Sequence, residues 1–151
     1  MYMRLIFSFI LYFLFFFNFH ISFADEFVML KNNKVNVRYG PSFEYPIKYI
    51  YLKKYLPIKV VDKKENFRRI LDFKHNSGWI HISQLKKSNS VILTKKQVVF
   101  SKPTKFSKPI AVAEKGKLFL IKNCKNKWCK IKENNMSGWI LFETYWGKLP
   151  N

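Results

Sequence analysis

The sequence predicts an all-β chain of two tandem small β-barrels behind an N-terminal signal peptide. Three observations carry this expectation. Apolar residues recur with a period of two, no amphipathic helix of useful length occurs, and Ser-Gly-Trp-Ile stands twice, at Ser77–Ile80 and Ser137–Ile140.

The chain opens with MYMRLIFSFILYFLFFFNFHISFA. Arg4 supplies a positive n-region, Leu5 to Phe17 form an apolar h-region, and Ser22-Phe23-Ala24 puts small residues where a signal peptidase reads. Cleavage after Ala24 makes Asp25 the first mature residue and predicts an exported protein of the periplasm or cell envelope. The other reading is an uncleaved N-terminal membrane anchor; Asn18 and His20 leave it marginal against the ~20 apolar residues that a bilayer span requires. The expected organisation is a signal peptide at 1–24, a first module at 25–86, a linker at 87–91 overlapping the start of a second module at 90–147, and a tail at 148–151.

Within the first module Val28/Leu30, Val35/Val37 and Ile58/Val60 alternate with outward-facing neighbours, as half-buried strands do. Turn chemistry separates them: Lys31 to Lys34 after the first strand, Gly40-Pro41 after the second, Asp62 to Asn66 and Lys74 to Gly78 further on. Val91/Leu93 and Val98/Phe100 continue the pattern in the second module. Five short strands per module suit a small barrel, and closure would remove exposed edges. The connection from Lys86 to Ser90 is short and polar, so the two barrels are expected to touch.

Laying the chain on itself pairs Val28, Leu30, Val35, Val37, Phe43, Pro46 and Ile47 with Val91, Leu93, Val98, Phe100, Phe106, Pro109 and Ile110, all 63 residues apart. Phe67 and Ile70 match Trp128 and Ile131 at 61, and Gly78-Trp79 match Gly138-Trp139 at 60. The repeated Gly-Trp is read as architecture: glycine allows a close backbone approach, and Trp79 and Trp139 then fill the barrel centres.

The net charge is +19, and loss of the first 24 residues would remove only Arg4 from the basic set. Such a field attracts anionic surfaces and polymers, although 24 lysines beside abundant Phe, Ile and Asn equally fit an AT-rich coding bias. Export disfavours nucleic acid as the partner. Cys124 and Cys129 form the one even pair, read as a disulfide, since C-x4-C without matching ligands is a poor metal site.

VNVRYGPSFEYPI at Val35–Ile47, NFRRI at Asn66–Ile70 and SGWIHISQL at Ser77–Leu85 resemble the bacterial SH3-like (SH3b) domain, with its N-x-R-x-G-P turn, following Y-P and late G-W-[IV]. The second module keeps Phe106, Pro109, Trp128 and Gly138-Trp139 but reads Val99-Phe100-Ser101-Lys102-Pro103 at the turn, a departure that argues against a ligand-binding role shared by the second copy. The resemblance implies binding rather than chemistry: docking on peptidoglycan or a cell-wall complex, or alternatively adapting one envelope protein to another. It implies no cofactor.

The residues agree. His75 and His81 have no nucleophile–base arrangement, and the carboxylates are scattered singly among lysines, so no catalytic or metal site is expected. Arg38, Tyr39, Phe43 and Tyr45 are the candidate ligand contacts, because tyrosine and arginine edges stack on sugars or peptides and grip carboxylates. The competing reading has Asn36, Arg38, Gly40 and Pro41 simply holding the turn.

Overall fold

The computed structural model describes residues 26–133 and 136–150. The expected signal segment, 1–24, lies outside the described residues; among them no helix is long and apolar enough to cross a membrane.

The first module is one antiparallel sheet. Its strands are β1 (Glu26–Leu30), β2 (Val35–Arg38), β3 (Ile47–Tyr51), β4 (Pro57–Lys64), β5 (Phe67–Leu71), β6 (Ser77–His81) and β7 (Leu85–Lys87), with a single 3-10 turn at Ile82–Gln84. They lie in the order β3-β2-β6-β5-β4-β1-β7. A bulge between Val60 and Asp62 bends β4, which pairs with β1 through its first half and with β5 along most of its length. Leu30, Val35, Val37, Ile58, Ile70 and Ile80 fill the core. The expected closure is not realised in hydrogen bonds: β3 and β7 remain the two edges of the sheet.

The second module comprises β8 (Ser90–Leu93), β9 (Gln97–Phe100), β10 (Pro109–Ala113), β11 (Leu118–Leu120), β12 (Cys124–Lys125), β13 (Trp128–Glu133), β14 (Met136–Leu141) and β15 (Tyr145–Gly147). Here the sheet is split, β10-β9-β14-β13-β12 on one side and β11-β8-β15 on the other. The strand that is continuous as β4 in the first module is interrupted here, so that β11 and β12 belong to different sheets. Beyond the break, Cys124 and Cys129 stand opposite each other across a two-residue turn and are disulfide-bonded. Asn126 and Lys127 in that turn both have positive φ (48° and 66°), as a tight hairpin turn of this kind requires. The counterparts of the two cysteines in the first module are Lys63 and Arg68, also opposite each other, with Lys63 ion-paired to Glu26.

The modules do more than touch. Only residues 88 and 89 separate β7 from β8, and the polar connection expected from Lys86 to Ser90 has Ser88 and Ser90 buried. All four residues of β8 are buried. Val91 and Leu93 point into the second core, whereas Ile92, on the opposite face of the strand, belongs to the first core. Trp146 packs against the same first-module cluster, donates its indole N–H to the carbonyl of Pro57 (3.1 Å) and meets Phe27 edge-on. Gly147 permits this approach: its φ is +125°, and a Cβ there would lie 2.4 Å from the carbonyl oxygen of Ser90.

Two further expectations need correcting. Across the first hairpin the copies are 62 residues apart, not 63: Val37 pairs with Tyr49 as Val99 pairs with Ala111, and Arg38 pairs with Trp79 as Phe100 pairs with Trp139. The turn after β8 is one residue shorter than the turn after β1. Because side chains alternate, a one-residue slip reverses the face; Val99 is buried, and Val98, the expected match of core Val35, is exposed. Pro41 thereby aligns with Pro103, and Tyr45 with Ser107. Secondly, Trp79 and Trp139 do not fill barrel centres. Ile80 and Ile140 do, and each tryptophan is half-buried on the outer face of its strand. The glycines work as expected: a Cβ at Gly78 would meet Val37 Cγ1 at 2.4 Å, and one at Gly138 would meet Val99 Cγ1 at 2.6 Å.

Candidate functional site

The loop between β2 and β3, residues 39–46, and Arg38 at the end of β2 bring together the four residues singled out for ligand contact. Arg38 closes it from inside: its Nη1 donates to the carbonyls of Phe43 (3.0 Å) and Tyr45 (2.6 Å), and its guanidinium lies 5.5 Å from the centre of the Phe43 ring. Both readings of Arg38 therefore have a physical basis. One nitrogen holds the turn, while Nε and Nη2 have no hydrogen-bond partner among the described residues and keep the geometry with which arginine accepts a carboxylate.

Gly40 lies under the Tyr45 ring, where a Cβ would approach the ring carbons to 2.5 Å. Tyr39 N–H donates to the carbonyl of Pro46, and Ser42 Oγ accepts from Glu44 N–H. Pro41 makes no hydrogen bond among the described residues, and its fixed φ suits the turn. The loop is thus ordered by its own bonds while its aromatic side chains remain outside: Tyr39 and Phe43 are each 62% exposed and Tyr45 47%. Lys48 Nζ sits 5.6 Å over the Tyr39 ring and donates to the carbonyl of Ser77, tying the loop side of β3 to β6.

Two residues that sequence reasoning did not assign to the site support it. Phe43 packs against Phe67 and His81, with ring centres 5.2 Å and 5.0 Å away, and those two rings meet each other at 5.1 Å. His81 Nδ1 lies 2.8 Å from Ser83 Oγ and caps the following 3-10 turn. Phe67 is buried, yet it lies on the outer face of β5 beneath the loop rather than in the core cluster. The available signal was positional: Phe67, Arg69, Trp79 and His81 share one face of two paired strands.

Behind the loop, half-buried Tyr49 and Tyr51 form a polar chain to buried Asp72. Tyr51 hydroxyl donates to Asp72 Oδ2 (2.9 Å), and the Tyr49 hydroxyl lies 3.3 Å from that of Tyr51. Asp72 also accepts from Lys74 N–H, Asn76 N–H and the Asn76 amide, so the buried carboxylate is saturated with donors and organises the turn before β6. Burial, reinforced by the Tyr49 hydroxyl and the Asp72 carboxylate, pushes the Tyr51 phenol far above the usual tyrosine range. Burial also raises Tyr49, an effect that its bond to Tyr51 partly opposes.

In the second module the equivalent loop is held differently. Ser107 Oγ shares its one proton between the carbonyls of Lys102 (3.0 Å) and Thr104 (2.9 Å) and accepts from Lys102 N–H, replacing the arginine clamp. Phe106 is fully exposed and packs on nothing comparable to the Phe67–His81 pair. Among the described residues no group of three or more His, Cys, Asp or Glu could hold a metal ion. The arrangement on the first module suits stacking and hydrogen bonding to a ligand.

A sequence profile described as "Bacterial SH3 domain" matches the chain twice, at residues 31–87 and 94–147. No curated protein matches. Among solved structures the chain is similar to that of NlpC2 from Trichomonas vaginalis, at 16% identity over 83% of this chain and 49% of that one, with a TM-score of 0.36. It is likewise similar to that of NlpC1 from Trichomonas vaginalis, at 15% identity over 84% of this chain and 48% of that one, with the same TM-score. The chain spans about half the length of these two structures.

Proposed function

Since the chain belongs to the bacterial SH3 domain family, whose members are commonly cell-wall binding modules, we propose that it is an exported, non-enzymatic binding protein that docks on peptidoglycan through the β2–β3 loop of its first module. The observation that supports this reading is the clamped loop itself. Tyr39, Phe43 and Tyr45 are exposed on a backbone fixed by Arg38, so aromatic contact area is offered at little ordering cost. The free guanidinium nitrogens add a carboxylate-binding edge, and the positive charge of the chain favours an anionic polymer. The disulfide and the family are consistent with an extracytoplasmic location.

The test is co-sedimentation of the mature protein with purified, protein-free peptidoglycan. Wild type should partition with the wall material, Tyr39→Ala and Phe43→Ala should release it by about tenfold or more as hot-spot contacts do, and equal partition with and without wall would end the proposal. A second reading, an adaptor between envelope proteins, is favoured by the free edge of β10, whose sequence Pro109–Ala113 has no charge and leaves Ile110 and Val112 exposed. In that case crosslinking should recover a discrete protein and binding should survive muramidase digestion of the envelope.

A further inference from the structure

The two modules enclose a cleft of about 610 Å³, lined from one side by Phe27, Met29 and Lys87 and from the other by Ile121, Lys122 and Lys148. Its volume is that of a small-ligand site. The walls are held in place, since Phe27 packs on Trp146, Trp146 is bonded to Pro57, and Ile121 N–H donates to the carbonyl of Asn89 in the connection between modules. No acidic side chain lines it, and none of the three lysines has an ion-pair partner among the described residues.

We infer that this cleft is a second binding site, independent of the first-module loop, for a small amphiphilic phosphate: an alkyl phosphate monoester whose apolar part lies on the half-buried Phe27, Leu149 and Pro150 while the lysines hold the phosphate. The cation type decides between anions. Three compact ammonium groups without an arginine fork suit a dianionic phosphate, which is bound as a concentrated charge, better than a carboxylate, for which planar bidentate pairing is the stronger mode. The apolar walls exclude inorganic phosphate alone as the best ligand.

The experiment is an amide-shift titration of the full mature chain at physiological ionic strength with hexyl phosphate, hexanoate, hexanol and inorganic phosphate as separate arms. Hexyl phosphate should bind most tightly and shift the amides of Met29, Asn89, Ile121 and Lys122. Replacing all three lysines (Lys87→Gln, Lys122→Gln, Lys148→Gln) should weaken it by about tenfold. A control with the same charge change elsewhere (Lys125→Gln, Lys130→Gln, Lys132→Gln) should leave the affinity within about twofold. Equal loss in the control would assign the effect to the general field of the protein and overturn the site. So would hexanol binding as tightly as hexyl phosphate, or shifts confined to residues away from the cleft. Phosphatidate vesicles distinguish the source of the phosphate: competition with hexyl phosphate that the cleft variant abolishes extends the site to a lipid headgroup, whereas its absence restricts the ligand to a soluble ester.

Discussion

Ile92 belongs by sequence to the second module but is buried in the core of the first, so shortening it should destabilise the module to which it is not attached. Ile92→Ala removes three carbons from a fully buried site. At about 0.8 kcal/mol per methylene the lost transfer energy is about 2.4 kcal/mol, and the cavity left behind raises the total to about 3–4 kcal/mol. With a urea slope of about 1.5–2 kcal/mol/M, the unfolding midpoint should fall by roughly 2 M. The decisive measurement is native-state hydrogen exchange at Ile70 and Ile80 in the first core and at Ile131 and Ile140 in the second. Protection should fall at both pairs in Ile92→Ala, and by about 1 kcal/mol in the graded variant Ile92→Val. If Ile70 and Ile80 keep wild-type protection while only Ile131 and Ile140 lose it, the modules are independent and the shared-core reasoning is wrong.

Gly78→Ala should cost about 1–3 kcal/mol by urea titration, because its Cβ would overlap buried Val37 Cγ1; combined with Val37→Ala, the loss should be smaller than the sum of the two single changes, and strict additivity would exclude that contact. Tyr55 has φ +65° at the position where the second module has Gly116 at φ +84°, and the ring of Tyr55 is flanked by Lys54 and Lys86. Tyr55→Gly should relieve about 1 kcal/mol of backbone strain while losing a cation–π contact of similar size, leaving thermal stability nearly unchanged, whereas Tyr55→Ala should lose the contact without relief and lower it. The raised Tyr51 phenol makes stability fully present below the unfolded tyrosine pKa of about 10 and progressively lost above it, as the unfolded chain ionises and the folded chain does not. Tyr51→Phe should therefore flatten the alkaline part of the stability–pH curve, and an unchanged slope between wild type and variant would contradict the hydrogen-bonded chain to Asp72.

Much of the fold was legible because it follows from local chemistry. A period of two, turn residues at the right places and a repeated Gly-Trp are sufficient to recognise β modules, and the Cys124–Cys129 pair was readable from number and spacing. The residues of the candidate loop were also legible, since exposed aromatics beside Arg38 form a short contiguous stretch. What sequence alone misplaced depends on register. Leu30 to Val35 and Leu93 to Gln97 differ by one residue, and nothing in either turn announces which side of the alignment carries the gap; only the pairing with β6 and β14 decides which valine faces inward.

The sequence by itself determined that this chain is a β repeat with a basic surface and one aromatic loop, because periodicity, charge and turn chemistry are properties of neighbouring residues. Tertiary structure alone decided three further things: that Trp79 and Trp139 lie outside the cores, that Phe67 and His81 support Phe43, and that Ile92 joins two cores through one strand. Each depends on which distant strand lies against which face, and that choice is made by the packing of the whole sheet rather than by any local segment.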